Sequence, residues 1–369
     1  MNRIAFRVDA STQIGIGHVM RCLALADVLS DRNAKCIFIC RTHVGHLLDL
    51  IAQRGHQSLA LPQRQHEGLL DQSGSIYGKW LGTDWVTDAT DTQRALDLEV
   101  GSKRLDWMVV DHYALDRSWE LTLRSSAKRI MAIDDLADRP HDCDLLLDQN
   151  LGRTLLDYSS LVSPSAIALM GPKYALLRPE FAKLRPYSLK RRDSIRLKNI
   201  LIAMGGIDKD NATGQVLDVL NSCSLPQDIA ITVVMGKNAP CLTQIKIQAE
   251  QMLRPTQVLI DVSDIAKIIA ESDLAIGAAG GSAWERCCLG LPSLIIVLAD
   301  NQEAGANALE NTGAAILVKE YQQIPQVLDE LQSLGFKNKT LLDLAQASFA
   351  VTDGFGSERV AQQMLAEYA

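Results

Sequence analysis

Short, almost continuously apolar runs alternate with helix-like segments along most of the chain, and this alternation restricts the possible folds more than any other feature. Such runs suit strands of a parallel sheet that helices cover on both faces. Their regular alternation with helices predicts a doubly wound α/β layer, with a first helix near 17–30. The predicted strands lie at 3–8, 35–40, 107–113, 129–136, 143–150, 199–206, 229–236, 257–262, 274–281, 292–298 and 314–318.

The length of 369 residues predicts two domains, because single hydrophobic cores rarely grow that large. The alternation breaks at 177–199, where two Arg-Pro pairs and a cluster of basic residues are interpreted as an interdomain linker. We therefore expect an N-terminal domain over 1–180 and a C-terminal domain over 198–350. A terminal helix is expected over 351–369, with the N-terminal domain as its candidate packing partner.

Composition excludes several classes of function. Apolar residues make up 47% and charged residues 22%, which is typical of a soluble globular protein. A net charge of −7 argues against a nucleic-acid surface as the main role. The N-terminus lacks the apolar stretch of a signal peptide, and no segment approaches the roughly 20 apolar residues of a membrane span. A cytoplasmic protein with no membrane or nucleic-acid partner is predicted.

The cysteines favour neither a disulfide scaffold nor a zinc centre. The chain has 8 of them, and no two form a Cys-x-x-Cys pair. Most lie in apolar strands or helices, where cysteine packs as a small hydrophobic residue. A metal site is not expected from them, because no ligand cluster has suitable spacing.

Glycines cluster where predicted strands end. In open parallel sheets, ligands bind beyond the carboxyl ends of the strands, so this shared location predicts a binding face. The glycines concerned are Gly15, Gly17, Gly205, Gly206, Gly277, Gly280 and Gly281.

The stretch "AMGGIDKDNATGQVLDVL" places Gly205 and Gly206 between a strand and a helix that is expected to begin near Asn211. Glycine allows backbone N–H groups to turn toward a ligand, and a helix N-terminus favours phosphate. An ordinary strand-to-helix turn explains the same residues equally well. The stretch matches neither the P-loop nor the Gly-x-Gly-x-x-Gly pattern.

A second glycine loop, "IGAAGGSAWERCCLGLP", brings Gly280, Gly281 and Ser282 to the start of another predicted helix. Glu285 in its first turns either complements the helix dipole or accepts hydrogen bonds from two ribose hydroxyls. After the following strand, Asn301 and Gln302 could read sugar hydroxyls. Capping of the next helix is an equally simple role for Asn301.

His18 follows a glycine-flanked loop directly after the first strand, at the mouth of a helix, in the stretch "GIGHVMRCLALADVL". Arg21 lies on the same helix face, three residues later. Histidine is the usual general base near neutral pH, and a helix N-terminus tends to keep it neutral. The alternative is a capping or partly buried structural histidine.

Acids and aromatic residues end two other strands of the first half. "VVDHY" brings Asp111 and Tyr113 to the tip of one predicted strand, and "IDDL" brings Asp134 and Asp135 to the tip of another. Paired acids can hold a divalent metal, but acids at strand ends commonly cap the next turn. We expect no metal.

Six blocks of the chain, taken in order, closely resemble the UDP-sugar hydrolase family of pseudaminic acid biosynthesis. The resemblance covers most of the chain, and the second half also resembles the glycosyltransferase that makes lipid II from UDP-N-acetylglucosamine. The poorest match is at 60–105, and some relatives have Asn in place of Trp284. The six blocks are 7–26, 109–116, 133–150, 171–181, 202–211 and 280–302.

The resemblance implies a GT-B fold, in which two Rossmann-like doubly wound domains face a cleft. The first domain would supply His18 as the catalytic base and most sugar contacts, and the second would hold UDP. The implied reaction is hydrolysis of UDP-2,4-diacetamido-2,4,6-trideoxy-β-L-altropyranose to the free sugar and UDP. It proceeds by C1–O cleavage with inversion, without metal or cofactor. A monomer suffices for an enzyme of this kind.

The resemblance also implies roles for individual residues. The diphosphate would rest on the two glycine loops, the ribose on Glu285, and the uracil on the 261–269 loop that contains Ile265. The residues implied for UDP binding are Gly205, Gly206, Ile265, Gly280, Gly281, Ser282 and Glu285. Those expected to bind or position the sugar are Asp9, Gly17, Arg21, Asp111, Tyr113, Asn301 and Gln302.

Three other functions stay open from the sequence. A GT-B glycosyltransferase would move the same type of sugar to an acceptor. A hydrolase for a related diacetamido sugar would use the same residues. A non-catalytic protein that binds nucleotide sugars would bind UDP tightly without turning over its substrate.

Overall fold

The computed structural model describes residues 1–64, 77–101, 103–223, 225–333 and 340–366. The chain divides into two compact domains. Met1–Leu176 together with Ser357–Ala369 form the first domain, and Leu177–Gly356 forms the second domain. The second domain is therefore continuous in sequence, whereas the first also includes the end of the chain.

The first domain is one parallel sheet between helices. Its strands lie in the order β3-β2-β1-β4-β5-β6-β7. Two short 3-10 helices, Leu155–Tyr158 and Pro172–Tyr174, flank β7. The elements are β1 (Arg3–Val8), α1 (Gly17–Asp31), β2 (Lys35–Arg41), α2 (Leu48–Gln53), β3 (Gln57–Leu61), α3 (Gly78–Leu81), α4 (Trp85–Val100), β4 (Leu105–Asp111), α5 (Arg117–Leu123), β5 (Ala127–Ile133), β6 (Leu145–Asp148) and β7 (Ile167–Met170).

The second domain repeats the design with the strand order β10-β9-β8-β11-β12-β13, again all parallel. It contains 3-10 helices at Asp300–Gln302 and Tyr321–Gln323. Its elements are α6 (Pro179–Arg192), β8 (Asn199–Ala203), α7 (Ala212–Ser222), β9 (Ala230–Met235), α8 (Leu242–Glu250), β10 (Thr256–Ile260), α9 (Ile265–Glu271), β11 (Leu274–Ala278), α10 (Ser282–Cys288), β12 (Ser293–Ile296), α11 (Glu303–Asn311), β13 (Ile316–Leu317), α12 (Ile324–Ser333) and α13 (Leu341–Phe349).

Both sheets have the strand order of a Rossmann fold, which confirms the predicted α/β class and its doubly wound layers. The apolar runs became strands because helices cover both faces of each sheet, so consecutive side chains are buried. The strands β3 and β7 were not predicted. Both are edge strands whose residues are mostly half-buried. The β3 sequence, QSLAL, carries polar residues, and the β7 sequence, IALM, is apolar but only four residues long.

The predicted linker at 177–199 is wrong, because most of it forms the helix α6. Pro179 occupies its first turn, where no backbone N–H is needed, and Phe181 is buried. The basic residues hold backbone carbonyls instead of solvating a linker. Buried Arg192 donates to the carbonyls of Leu289, Ser272 and Ile269 at 2.8, 2.9 and 3.1 Å.

The last helix, α14 (Gly356–Leu365), belongs to the first domain and completes its core. Val360, Ala361 and Met364 lie in the same apolar cluster as the residues of β1 and α1. Trp107 in β4 donates its indole N–H to the carbonyl of Met364 at 2.9 Å. The final residues of the expected 351–369 segment, 367–369, lie outside the described part of the chain.

Candidate functional site

The strands β1 and β4 are neighbours in the first sheet, and Val8 lies opposite Asp111 where they end. The strand order runs in opposite directions from this pair. The strand β2 lies beside β1, on the side away from β4, and β5 lies beside β4, on the side away from β1. This is the switch point where Rossmann folds bind ligands. His18 follows β1 and Asp111 ends β4, so both candidate residues lie there.

A compact turn between β1 and α1 determines where His18 lies. The Ser11 hydroxyl oxygen accepts hydrogen bonds from the backbone N–H groups of Gln13 and Ile14 at 3.1 and 2.9 Å. Gly15 has φ of +81°, a conformation that strains any residue with a Cβ. The helix then begins at Gly17, so His18 lies in its first turn.

His18 and Asp111 form a histidine–carboxylate pair. The Nδ1 atom of His18 lies 2.6 Å from Oδ1 of Asp111. The Asp111 side chain is completely buried, whereas that of His18 keeps 11% of its surface exposed. Because the carboxylate accepts the Nδ1 proton, it favours the tautomer whose Nε2 carries a free lone pair. Among the described residues, Nε2 has no hydrogen-bond partner.

Arg21 clamps the other side of Asp111. Its Nε and one terminal nitrogen each lie 2.7 Å from an Asp111 oxygen, and its other terminal nitrogen lies 2.7 Å from Asp135. Burial alone would raise the pKa of Asp111, but Arg21 and then His18 outweigh it and hold that pKa well below its ordinary value. Asp111 is therefore an anion at neutral pH, able to orient His18.

Tyr113 closes this network. Its hydroxyl donates to Asp135 at 2.8 Å, and its ring packs edge-on against the His18 ring at a centroid distance of 4.7 Å. Burial, followed by the nearby Asp135 charge, raises the pKa of Tyr113 well above its ordinary value. Tyr113 is thus a neutral phenol that holds Asp135 and shields one edge of His18.

Asp9, which was predicted to bind the sugar, lies in a different network. Its side chain is completely buried and lies 2.7 Å from both Arg7 and the backbone N–H of Arg41. Its second oxygen faces the Nε2 atoms of His43 and His112 at 3.7 and 3.5 Å. Asp9 is therefore held by protein groups in this structure, and its expected role in binding or positioning the sugar stays a prediction.

Asp134 follows β5 and Asp148 ends β6, and the two carboxyl groups differ in their surroundings. Asp134 caps its own turn, accepting from Ala137 N–H at 2.8 Å, and pairs with Arg139. Burial, with the neighbouring Asp135 charge, raises the pKa of Asp148 to about 7. Among the described residues, no group of three His, Cys, Asp or Glu side chains is arranged to hold a metal ion.

The second domain has its own switch point, between the neighbouring strands β8 and β11. Gly205, just after β8, has φ of +95°, and the carbonyl of Gly206 accepts from Gly236 N–H at 3.0 Å. Within β11, a Cβ added to Gly277 would lie 2.8 Å from the carbonyl oxygen of Ala203. Glycine is needed there because the two strands approach closely.

The N-terminus of α7, expected to attract phosphate, is already occupied by protein groups. Both carboxylate oxygens of Asp208 accept backbone N–H groups, from Ala212 and Thr213, each at 2.9 Å. The Asn211 side chain accepts from Gly214 N–H at 3.3 Å. An anion at this helix end would meet a negative charge, so the first glycine loop can contribute its backbone but not the helix terminus.

The N-terminus of α10 differs, because no side chain caps it. Gly281 occupies the cap position and is exposed, with no atom within 4 Å of a Cβ placed there. Ser282 begins the helix, and its hydroxyl accepts from the buried Arg286 at 3.1 Å. Arg286 also donates to the carbonyl of Ala278 at 2.7 Å, which fixes the loop to the end of β11.

Glu285 lies in the first turns of α10 and is half-buried. Its carboxylate makes no hydrogen bond among the described residues. Burial raises its pKa to about 7, and the charges of Arg178 and Arg286 oppose that shift. A half-buried carboxylate with free acceptor oxygens can accept two hydroxyl donors.

Gln302 and Asn301 lie in the 3-10 helix after β12. The Gln302 side-chain oxygen accepts from Leu298 N–H at 3.1 Å, and its nitrogen lies 3.5 Å from a Cβ placed on Gly280. Asn301 is exposed and makes no side-chain cap. Ile265 begins α9, where Asp264 caps the helix through Lys267 N–H.

The structure therefore brings most of the predicted residues together within each domain. Gly17, His18, Arg21, Asp111 and Tyr113 form one cluster in the first domain. Gly280, Gly281, Ser282, Glu285 and Gln302 lie around the start of α10 in the second.

Sequence reasoning did not select Asp135, which holds both Arg21 and Tyr113, nor the half-buried rings of Tyr77 and Trp80. The "IDDL" motif raised Asp135 but offered nothing to distinguish it from Asp134. The rings of Tyr77 and Trp80 fall in the 60–105 region that matched known proteins poorly, so no motif pointed to them.

Residues 200–363 match the family "Glycosyltransferase family 28 C-terminal domain". Over 318 residues the chain is 26% identical to the UDP-2,4-diacetamido-2,4,6-trideoxy-beta-L-altropyranose hydrolase of Campylobacter jejuni, covering 86% of this chain and 99% of that protein. The resemblance to that hydrolase is thereby confirmed.

Solved structures agree on the fold. MurG of Acinetobacter baumannii matches with a TM-score of 0.69 at 15% identity, over 99% of each chain. A UDP-glucosyltransferase of Polygonum tinctorium matches with a TM-score of 0.67 at 14% identity, also over 99% of each chain. The two Rossmann-like domains are those of a GT-B fold, as predicted. In the described part of the chain, no helix combines the length and apolar content needed to cross a bilayer.

Proposed function

We propose that this chain is a UDP-sugar hydrolase in which His18 is the general base. The observation that carries the proposal is the 2.6 Å contact between His18 Nδ1 and the buried anion Asp111. That contact leaves Nε2 as the acceptor nitrogen on a ring that keeps some exposure. A base with a fixed tautomer and a free lone pair is what activation of water requires.

In the proposed reaction, Nε2 of His18 takes a proton from water while the water oxygen attacks the anomeric carbon C1. The bond between C1 and the phosphate oxygen breaks, and UDP leaves with the electron pair. A single displacement by water inverts the configuration at C1. Asp111 stabilises the imidazolium that forms, and Arg21 with Asp135 keeps Asp111 in place.

The second domain binds UDP in this proposal. The backbone groups of Gly280 and Gly281, with Ser282, are the expected diphosphate contacts, and the uncapped start of α10 supports them. Glu285 accepts the ribose hydroxyls through its free oxygens. The loop at Gly205 and Gly206 adds backbone donors, Ile265 packs on the uracil, and Asn301 with Gln302 reads the sugar.

The finer identity of the reaction rests on the relative from Campylobacter jejuni. We infer that the substrate is UDP-2,4-diacetamido-2,4,6-trideoxy-β-L-altropyranose and that the product serves pseudaminic acid biosynthesis. A related diacetamido sugar would use the same residues. The enzyme is proposed to act in the cytoplasm as a monomer, without a metal, and without a membrane or nucleic-acid partner.

The decisive assay is release of UDP from this nucleotide sugar by the purified protein in ¹⁸O-labelled water. We expect the label in the sugar, because attack occurs at C1; label in UDP would mean attack at phosphorus and contradict the mechanism. His18→Ala should lower the rate about 10²–10⁴-fold. His46→Ala, which removes another half-buried histidine of the first domain, is the matched control.

A glycosyltransferase is the second candidate function, favoured by the family 28 match over residues 200–363. The same base would then deprotonate an acceptor hydroxyl instead of water. UDP release that depends strictly on an added acceptor would favour this candidate. Full turnover in water alone would favour the hydrolase.

A further inference from the structure

An aromatic cluster lies directly beside His18 and consists of Tyr77, Trp80 and Tyr113. The Trp80 and Tyr113 rings stack at a centroid distance of 5.7 Å, and Tyr77 contacts both, at 4.8 and 5.1 Å. Trp80 also meets the His18 ring edge-on at 6.5 Å. Tyr113 is buried, whereas Tyr77 and Trp80 are half-buried, so the cluster offers an accessible apolar surface next to the base.

The segment that carries Trp80 is held in place on the side that follows it. Leu81, the next residue, is buried in the core on one face of the first sheet. Gly82 has φ of +69°, and a Cβ there would lie 2.7 Å from the His43 ring. Asp84 then caps α4 through Thr87 N–H at 2.8 Å. Trp80 therefore has a defined position relative to His18 and is not a freely moving side chain.

The faces of these rings select against polar sugar substituents, whereas the Trp80 indole N–H and the Tyr77 hydroxyl lie at the ring edges. Ring faces offer dispersion contacts and a weak acceptor, but no strong hydrogen-bond donor. A methyl group placed against the rings gains about 4-fold in affinity from leaving water. A hydroxyl at the same place loses its water contacts without replacing them, which costs about 5-fold or more.

We propose that Trp80 and Tyr77 form an apolar subsite that receives a methyl group of the sugar and so selects methyl-bearing nucleotide sugars. This inference rests on the proposed function, because it assumes that a UDP-sugar reaches His18. The methyl group has two possible sources, the C6 carbon of a 6-deoxy sugar and the methyl of an acetamido group. Tyr113 supports the subsite by stacking under Trp80.

Binding of two pairs of UDP-sugars, measured by titration calorimetry, tests the proposal without requiring turnover. UDP-N-acetylglucosamine and its 6-deoxy analogue differ only in the C6 hydroxyl, and UDP-glucose differs from UDP-N-acetylglucosamine only in the acetamido group. We expect a preference of about 4- to 30-fold for the methyl-bearing member of at least one pair. The pair that shows it identifies the source of the methyl.

The same measurement on Trp80→Ala should reduce that preference to about 2-fold or less, while Trp80→Phe keeps part of it. Trp85→Ala, which removes an exposed tryptophan at the start of α4, is the matched control and should change nothing. Circular dichroism checks that each variant folds, and Trp80→Phe carries the test if Trp80→Ala does not.

A methyl preference that survives in the Trp80 variants, or no preference in either pair, would overturn the subsite while leaving the proposed function intact. Failure of the wild-type protein to bind even UDP would instead remove the proposed function, and the subsite with it.

Discussion

The two domains have the same strand order up to the sixth strand, yet they end their strands differently. In the first domain the strand ends carry charged side chains already paired with each other, such as Asp111 with Arg21 and His18. In the second domain glycines follow the strands. Gly205 has a positive φ, and no side chain caps the helix that begins after Gly281. The same strand order thus presents charged side chains in the first domain and mainly backbone groups in the second.

This difference predicts how substitutions divide between rate and affinity. Changes at the strand ends of the first domain should act on the chemical step, because the paired side chains orient the proposed base, His18. Changes at the strand ends of the second domain should act on binding of UDP, because the groups there are proposed to contact the nucleotide and none is proposed to act on the reacting carbon.

The largest effect should come from Asp111→Asn. An amide cannot act as the anion that fixes the His18 tautomer, so we expect kcat to fall about 10²–10⁴-fold while the dissociation constant of UDP stays the same. Steady-state kinetics and calorimetry measure the two quantities. Asp116→Asn is the control, since this acid only caps α5 and asparagine caps equally well. A folded Asp111→Asn enzyme with near-normal kcat would show that Asp111 does not contribute to the chemical step.

Gly281→Asp should produce the next largest effect, and in the opposite half. Aspartate at the start of α10 complements the helix dipole, so thermal stability should be unchanged or slightly higher. The added negative charge repels the diphosphate, so we expect UDP to bind about 10-fold more weakly. The loss should shrink in high salt.

Gly281→Asn is its matched control, because asparagine has nearly the shape of aspartate and adds no charge. UDP should bind to this variant nearly as tightly as to the wild type. If both variants bind UDP with wild-type affinity, the start of α10 does not hold the diphosphate, and the contrast between the domains loses its second half.

Glu285→Gln should give the smallest effect, visible in the pH dependence of stability. The pKa of Glu285 is raised to about 7 when folded, above its ordinary value of 4.5. The folded state therefore binds the extra proton, and this contribution to stability is present at low pH and lost as pH rises toward 7. Relative to wild type, the variant should gain on the order of 1 kcal/mol between pH 5 and pH 8.

Urea unfolding at pH 5 and pH 8 measures that difference. Glu303→Gln, which removes an exposed carboxylate from the first turn of α11, is the control and should show no comparable gain. Saturating UDP should reduce the pH dependence if ribose hydroxyls satisfy Glu285. An equal gain at both pH values would mean that Glu285 is ionised in the folded protein throughout.

Local pattern predicted the central strands well because burial on both faces forces a continuous apolar run, as in "WMVV" of β4 and "LAIGA" of β11. The edge strand β3 was missed because a half-exposed strand tolerates polar residues, and β7 was missed because its apolar run is only four residues long. The helix α6 was not predicted because its many basic residues suggested solvent exposure, whereas several of them donate hydrogen bonds to backbone carbonyls.

The candidate site was predictable only in part, for a similar reason. The position of His18 followed from a glycine-flanked loop at a strand end. The acid that pairs with His18 could not be predicted in this way, because Asp9 and Asp111 both lie at the ends of apolar strands. The difference between them depends on contacts with residues far away in the sequence. Asp9 pairs with Arg7 and accepts from the backbone N–H of Arg41. Asp111 pairs with Arg21 and also contacts His18.

The position of α14 has a consequence for how the protein is made. Its residues Val360 and Met364 complete the apolar cluster around β1, although the ribosome synthesises them more than 300 residues later. The first domain therefore cannot complete its core until the whole second domain, which lies between its two segments, has been synthesised. We expect the nascent first domain to expose apolar surface until α14 emerges from the ribosome, and to be the domain that needs chaperones.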